Sequence, residues 1–296
     1  MRAKGWHRLV APACVLISAL GCIECAPRPH APYAPPPLPE PVAVTTTSGD
    51  DVASPTTVEP GVDEHGLPPA PTTQDEEAPS PDDPPLAHPE ATPAYRYARL
   101  DRASCLAELT RRHVPHVLVG ETRGVLIPIR FAGPLHGVTF RGIVPAKQRA
   151  TSPYEIVDCR LALALDDFSQ LLEQHQIVEV VHFSMYRPPS SRSWPQGKIG
   201  SRHSGALALD AGLFKKRDGS VLSVEKDFHG RIGAKTCGPK TGPSPATPEA
   251  LELRDIICTT GAKHTFNLEL TPNFNKPHFN HFHLEVTANV KWFIVH

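Results

Sequence analysis

Two short segments about seventy residues apart concentrate the chemistry of this chain. They read Ser201-Arg202-His203-Ser204-Gly205-Ala206-Leu207-Ala208-Leu209-Asp210 and His278-Phe279-Asn280-His281-Phe282-His283. Together they bring four histidines and one carboxylate, at spacings that a single zinc ion can use. Such a set serves hydrolysis by a metal-activated water.

The chemistry requires that both segments hold their side chains to one point. His281 and His283 stand at the start of an apolar run, and in a strand residues i and i+2 share a face, so both imidazoles project together while Phe282 turns away. Both can reach one metal, or one can ligate while the other works on the substrate. His203 and Asp210 are seven apart, which places them on opposite faces of one continuous strand. Gly205 offers the break that lets His203 lie in an entry loop and Asp210 on the strand. A carboxylate inside so apolar a run is costly to bury unless it is paired or bound to metal. Three protein ligands plus a water is the arrangement of a catalytic zinc. Against this, the chain holds 16 histidines, so close pairs arise by chance, and a lone buried Asp is commonly a hydrogen-bonded structural residue. The coincidence of both segments at strand starts favours a site. Arg187, in Tyr186-Arg187-Pro188-Pro189, reads either as a surface residue before a turn or as a cleft residue able to pair bidentately with a carboxylate.

The elements that must position these residues lie in the last two hundred residues. Helical spacing of apolar residues occurs over 103–113, 157–174 and 248–259, with Thr247 as an N-cap for the last. Strand-like runs are 125–131, 137–143, 178–183, 206–214, 221–224 and 281–286. Pro128 demotes the first to an edge strand, and Asp218-Gly219 signals a hairpin. Helices and strands do not alternate strictly, so the expected fold is α+β, a small, mainly antiparallel sheet with flanking helices. Lys235 to Lys240 lacks phosphate-loop spacing, and Ser190, Ser191 and Ser193 lack the context of a nucleophilic serine.

Residues 1–21 have a basic start, about 12 apolar residues and a small residue before Cys22, the layout of a bacterial export signal too short to span a core of roughly 30 Å. Ala19-Leu20-Gly21-Cys22 allows either acylation of Cys22, which anchors the chain to a membrane, or ordinary cleavage after Gly21. Residues 22–93 form a Pro-rich acidic linker, expected to be disordered because it has too few apolar residues to form a core. The folded domain is 94–296. Residues 26–93 hold one Arg against 12 acidic residues, whereas 94–296 hold 26 Lys plus Arg against 18 acidic residues. The basic domain suits an anionic envelope partner, and no basic helix or aromatic-basic interleaving supports nucleic acid. Cys105, Cys159, Cys237 and Cys258 point to two disulfides in an exported protein. Three connectivities are open; proximity favours Cys105 with Cys159 and Cys237 with Cys258.

The pattern Ser-x-His through Asp210, then Asp218-Gly219, then His278-x-x-His281-x-His283-Leu284, is similar to the zinc peptidases that group lysostaphin-type enzymes, D-Ala-D-Ala metallopeptidases and the hedgehog signalling domain. The chain has Ala206 where that pattern carries Gly, with Gly205 one place earlier. It more closely resembles the extensin-like C-terminal domain family, through the same segments and Leu270-Thr271-Pro272-Asn273-Phe274-Asn275, over about residues 100–288. The resemblance implies a zinc-peptidase-like fold, with His203, Asp210 and His283 as Zn2+ ligands and His281 beside the reacting water as base or transition-state stabiliser. It further implies His278 in support and Arg187 lining the cleft. The implied substrate is a D-amino-acid-containing amide of peptidoglycan, cut as by a D,D-carboxypeptidase or murein endopeptidase. The alternative is a wall-binding module that keeps the fold without hydrolysis, and a third reading is a structural scaffold. Relatives usually have a Cys shortly before Arg187, which this chain lacks.

Overall fold

In the computed structural model, residues 88–190 and 194–296 are described. The export segment, Cys22 and residues 23–87 of the linker lie outside them, as do Ser191 and Ser193. Helical structure begins at Pro89–Ala91, a few residues before the expected boundary at 94. Among the described residues no helix is long and apolar enough to cross a membrane.

The helices are α1 (Pro93–Ala98), α2 (Arg102–Arg111), α3 (Ala146–Arg149), α4 (Cys159–Gln174), α5 (Val224–Asp227) and α6 (Pro248–Lys263). Each long helix starts on a side-chain cap of the kind that satisfies an orphan N–H. Asp101 accepts from Ser104 N–H at 2.8 Å, Asp158 from Arg160 N–H at 3.0 Å and Thr247 from Ala250 N–H at 3.2 Å. The strands are β1 (His116–Leu118), β2 (Pro128–Phe131), β3 (Thr139–Gly142), β4 (Val157–Asp158) and β5 (Ile177–His182), followed by β6 (Ala208–Lys216), β7 (Val221–Ser223), β8 (Leu268–Leu270), β9 (Phe282–Glu285) and β10 (Ile294–Val295).

Seven strands form one sheet in the order β10-β8-β9-β6-β5-β3, with β7 paired to β6. The inner pairings are antiparallel, but β10 with β8 and β3 with β5 are parallel, so the sheet is larger and more mixed than the sequence pattern implies. The β6–β7 hairpin turns at Asp218-Gly219, where Gly219 takes φ +89°. A second, three-stranded sheet has the order β1-β2-β4. Pro128 therefore opens a middle strand and not an edge strand. It is tolerated as the first residue of β2, where its carbonyl accepts from Val119 N–H at 3.1 Å and its missing N–H breaks no ladder. Strands β1, β8 and β10 carry two or three residues each, too few for a period-2 pattern to declare itself.

One face of the large sheet carries the core. α4, buried along most of its length, packs with α6 against Leu209, Ala211, Phe214, Phe282 and Leu284. Phe168 stands edge-on to Phe214 at 6.4 Å and to Phe266 at 5.7 Å, and Phe228 edge-on to Phe282 at 5.5 Å. Full burial of each ring contributes about 1.5–3 kcal/mol. The opposite face of β6 and β9 is left for polar residues.

Two disulfides, Cys105–Cys159 and Cys237–Cys258, close separations of 54 and 21 residues. The first pins α2 to the start of α4, the second pins the 228–247 loop to α6. In the loop-entropy view the first contributes about 4 kcal/mol and the second about 3 kcal/mol. Paired Cys→Ser replacement is expected to destabilise in that order; urea unfolding of the two double variants checks it, and a larger loss for the 237/258 pair contradicts it.

Candidate metal centre

The centre is built on β6 and β9, side by side in the middle of the sheet. Asp210 is paired across strands with His283, so their side chains share a face, opposite to the core residues Leu209, Ala211, Phe282 and Leu284. A β-bulge sets this arrangement. On β6, Leu213 opposes Val181 and Ala211 opposes His182, leaving Gly212 as the extra residue. Beyond it the alternation of the strand changes phase, so Phe214 and Ala211 both reach the core while Asp210 turns to the polar face. A Cβ at Gly212 would stand 2.9 Å from the ring of Phe183, so only glycine fits beside that ring.

His203 enters from a 3-10 turn, Arg202–Gly205. Ala206 after it takes the left-handed conformation (φ 53°), which turns the chain into β6 and breaks the opposite-face relation of a seven-residue spacing. Glycine takes that conformation without strain, whereas Ala206 takes it with a Cβ. At Gly205 the reason for glycine is contact: an added Cβ would lie 2.3 Å from the Gly200 carbonyl oxygen.

The resulting geometry brings the predicted residues together. His203 Nε2 lies 3.0 Å from Asp210 Oδ1 and 3.3 Å from His283 Nδ1, which is itself 3.0 Å from Asp210 Oδ1. One donor atom from each of His203, Asp210 and His283 falls within 4.8 Å of the others, and all three side chains are buried. His281 Nε2 is 3.4 Å from Asp210 Oδ1, and its ring meets Phe183 edge-on at 5.6 Å. His278 lies behind, its ring 5.1 Å from that of His281 and 5.8 Å from that of His283.

The outer nitrogen of each histidine is committed elsewhere. His203 Nδ1–H donates to the Met185 carbonyl at 3.1 Å, His283 Nε2–H to Glu285 at 3.1 Å, His281 Nδ1–H to Asn280 at 2.9 Å and His278 Nδ1–H to Asn275 at 2.6 Å. In neutral imidazoles this fixes the tautomer, leaving lone pairs on His203 Nε2 and His283 Nδ1 toward Asp210. Two nitrogens and a carboxylate oxygen, converging and held from behind, fit a zinc ion in donor type and number. Asp210 divides its oxygens: Oδ1 faces the histidines, and Oδ2 accepts from Ser184 Oγ–H at 3.2 Å and from Arg187, whose Nε–H also donates to Ser184 at 2.9 Å.

Electrostatics keep the cluster ready for a cation. Burial would raise the Asp210 carboxyl, but His203, His281 and Arg187 hold it well below the usual range. Burial, with Arg187 and His283 nearby, pushes His203 down to about 4 against the pull of Asp210, and His281 likewise to about 4. Burial and its histidine neighbours push His278 to about 2. His283 moves the other way: burial lowers it, but the adjoining Asp210 and Glu285 carboxylates, which favour the protonated ring, together outweigh that.

Arg187 stands against the Asp210 carboxylate, with its second amino nitrogen buried and without a hydrogen-bond partner among the described residues. Ser184, Asn275 and Asn280 escaped the sequence reading; only their neighbourhood to Arg187, His278 and His281 could have marked them. Glu285 is buried and holds His283 from behind at 3.1 Å.

The family model described as extensin-like protein C-terminus matches residues 136–294, more than half of the chain and all of the residues above. The chain belongs to this family. The match leaves α1, α2, β1 and β2 outside, so the extensin-like part begins just before β3. No curated protein sequence and no solved structure matches the chain significantly.

The pH dependence of the metal-free extensin-like protein follows from these shifts. His203, His278 and His281 bind protons below about pH 6.5 when unfolded but not when folded, so stability falls as pH drops from about 7 to 4, with His283 opposing. Urea midpoints of chelator-treated protein across that range check this; an unchanged midpoint from pH 7 to 5 contradicts it.

Proposed function

We propose that the chain is an exported, zinc-dependent peptidase with a fold like that of the lysostaphin, D-Ala-D-Ala peptidase and hedgehog group, acting on peptidoglycan peptide bonds that involve D-amino acids. The observation that carries the reading is the convergence of His203 Nε2, Asp210 Oδ1 and His283 Nδ1 with every outer nitrogen satisfied. Zinc, when bound, supplies a Lewis acid that acidifies water and polarises an amide carbonyl. The other steps belong to the chain. His281, its Nδ1–H held by Asn280, presents Nε2 to accept the proton of the attacking water and return it to the leaving amine. Arg187 and Ser184 hold Asp210 in place, and His278 packs behind His281. Export by residues 1–21 and acylation of Cys22 place the domain at the cell envelope, on a tether of some 65 residues that reaches well over 100 Å if fully extended.

A second reading, a wall-binding module without hydrolysis, is favoured by one observation: Asp210, His281 and His283 are 1 %, 4 % and 1 % exposed, so the scissile bond has little access to them in this arrangement.

Metal analysis of the purified full chain is expected to return close to one zinc, and His203→Ala or His283→Ala to empty the site; full occupancy in both variants ends this ligand set. His281→Ala is expected to keep the metal and to lower turnover of muropeptides by about 10²–10⁴-fold. If the zinc-loaded wild type releases no product from a panel of wall peptides, the binding reading stands instead.

A further inference from the structure

Strand β3 ends the large sheet and pairs only with β5. Beyond its free edge lies a slot of about 410 Å3, walled by Arg130, Thr139, Phe140, Arg141, Arg149 and Glu155 among others. The volume falls within the range of small-ligand sites. Ile143 N–H donates to His182 O at 2.8 Å, so by the alternation of a parallel ladder Arg141 turns its backbone groups to β5 while Phe140 and Gly142 turn theirs outward. Gly142 N–H is taken by Glu155 at 2.8 Å, which leaves Phe140 to present an N–H and a C=O at the open edge.

The charges along this slot do not cancel. Glu179 is ion-paired with Arg141 at 3.0 Å and Lys215 at 2.7 Å, and Glu155 faces His182 at 3.4 Å. Arg130 donates only to the Ser152 and Arg149 carbonyls, at 2.7 Å and 3.4 Å, and Arg149 only to the Val144 carbonyl at 3.2 Å. Among the described residues neither guanidinium is ion-paired. Arg130 feels the Glu155 carboxylate beyond ion-pair distance, whereas Arg149 has no acidic partner among the described residues. This arginine pair with a single shared counter-charge, an apolar floor in which Phe131 and Phe140 lie 5.8 Å apart, and free backbone groups of an edge strand suit an extended peptide bearing a carboxylate.

The slot and the metal centre share one sheet. Gly142 pairs with His182 and His182 with Ala211, the neighbour of Asp210, so β3 runs two strand spacings, roughly 10 Å, from β6, and the slot lies beyond β3. We propose that the slot is a carboxylate-binding subsite, which holds an acidic arm of a wall peptide while the scissile amide lies at the metal centre. The assignment of the peptide to the wall rests on the function proposed above; the carboxylate preference rests on the slot alone.

Titration calorimetry on the full chain with the tripeptide L-alanyl-γ-D-glutamyl-L-lysine, and with the same peptide carrying carboxamides, tests it. The acid form is expected to bind at least about tenfold more tightly, a difference of 1.4 kcal/mol. Arg130→Gln with Arg149→Gln is expected to abolish that preference. Because those arginines also brace local carbonyls, Thr139→Glu provides a second variant: it adds a carboxylate at an exposed wall position and is expected to weaken the acid form about tenfold. Equal affinity for acid and amide, or indifference to Thr139→Glu, overturns the subsite. The readout needs neither zinc nor turnover, so a chain that hydrolyses nothing yet prefers the acid peptide overturns the peptidase reading and leaves the slot standing.

Discussion

A buried carboxylate organises this domain. Asp210 sits in the middle strand of the large sheet, 1 % exposed, where an uncompensated negative charge is strongly unfavourable. The fold answers from two sides. Arg187 and Ser184, just past the end of β5, take one oxygen, and histidines from a turn and from β9 surround the other. Removing one partner from such a cluster leaves the rest uncompensated, which costs more than the net strength of any single contact. A divalent cation against Oδ1 satisfies the same carboxylate while Oδ2 keeps its existing donors.

That arrangement imposes demands on the backbone. Asp210 must leave the core face of a strand whose neighbours Leu209 and Ala211 pack under α4, and the bulge at Gly212 reconciles this with Phe214 further along. Phe183 needs the space that a side chain at Gly212 would fill, and it in turn lies edge-on to His281. The left-handed Ala206 serves the same end at the other side of Asp210. It carries the backbone strain that glycine would avoid, and its methyl group is buried with Val125, Ile156 and Tyr186, which offsets part of that cost. With Ala206 in this conformation, His203 and Asp210 still meet at 3.0 Å.

Membership of the extensin-like family and the His/Asp cluster are separate facts with a common root. The matched region 136–294 contains each residue of the cluster and the sheet that aligns them. The elements before it, α1, α2 and the β1–β2 pair, are joined to it by the Cys105–Cys159 disulfide and by Asp158, which accepts from Ile127 N–H at 3.1 Å and pairs with Arg160 at 2.8 Å. They extend the hydrophobic core without contributing a group to the centre.

By itself the sequence determined which residues meet. The two-residue spacing of His281 and His283 already required a common face, the Thr247 cap of α6 was a local signal, and the favoured cysteine pairing followed from short loops. Each of these depends on neighbours within a few residues or on a simple chain-closure argument. Only the tertiary structure decided what surrounds them. Arg187 pairs with Asp210 because β5 lies beside β6, the phase change at Gly212 is a register between strands, and β3 and β10 run parallel to their partners through crossovers that no local pattern encodes. Strand order and cross-strand register are set by contacts between residues far apart in the chain, and those contacts give each side chain its partner.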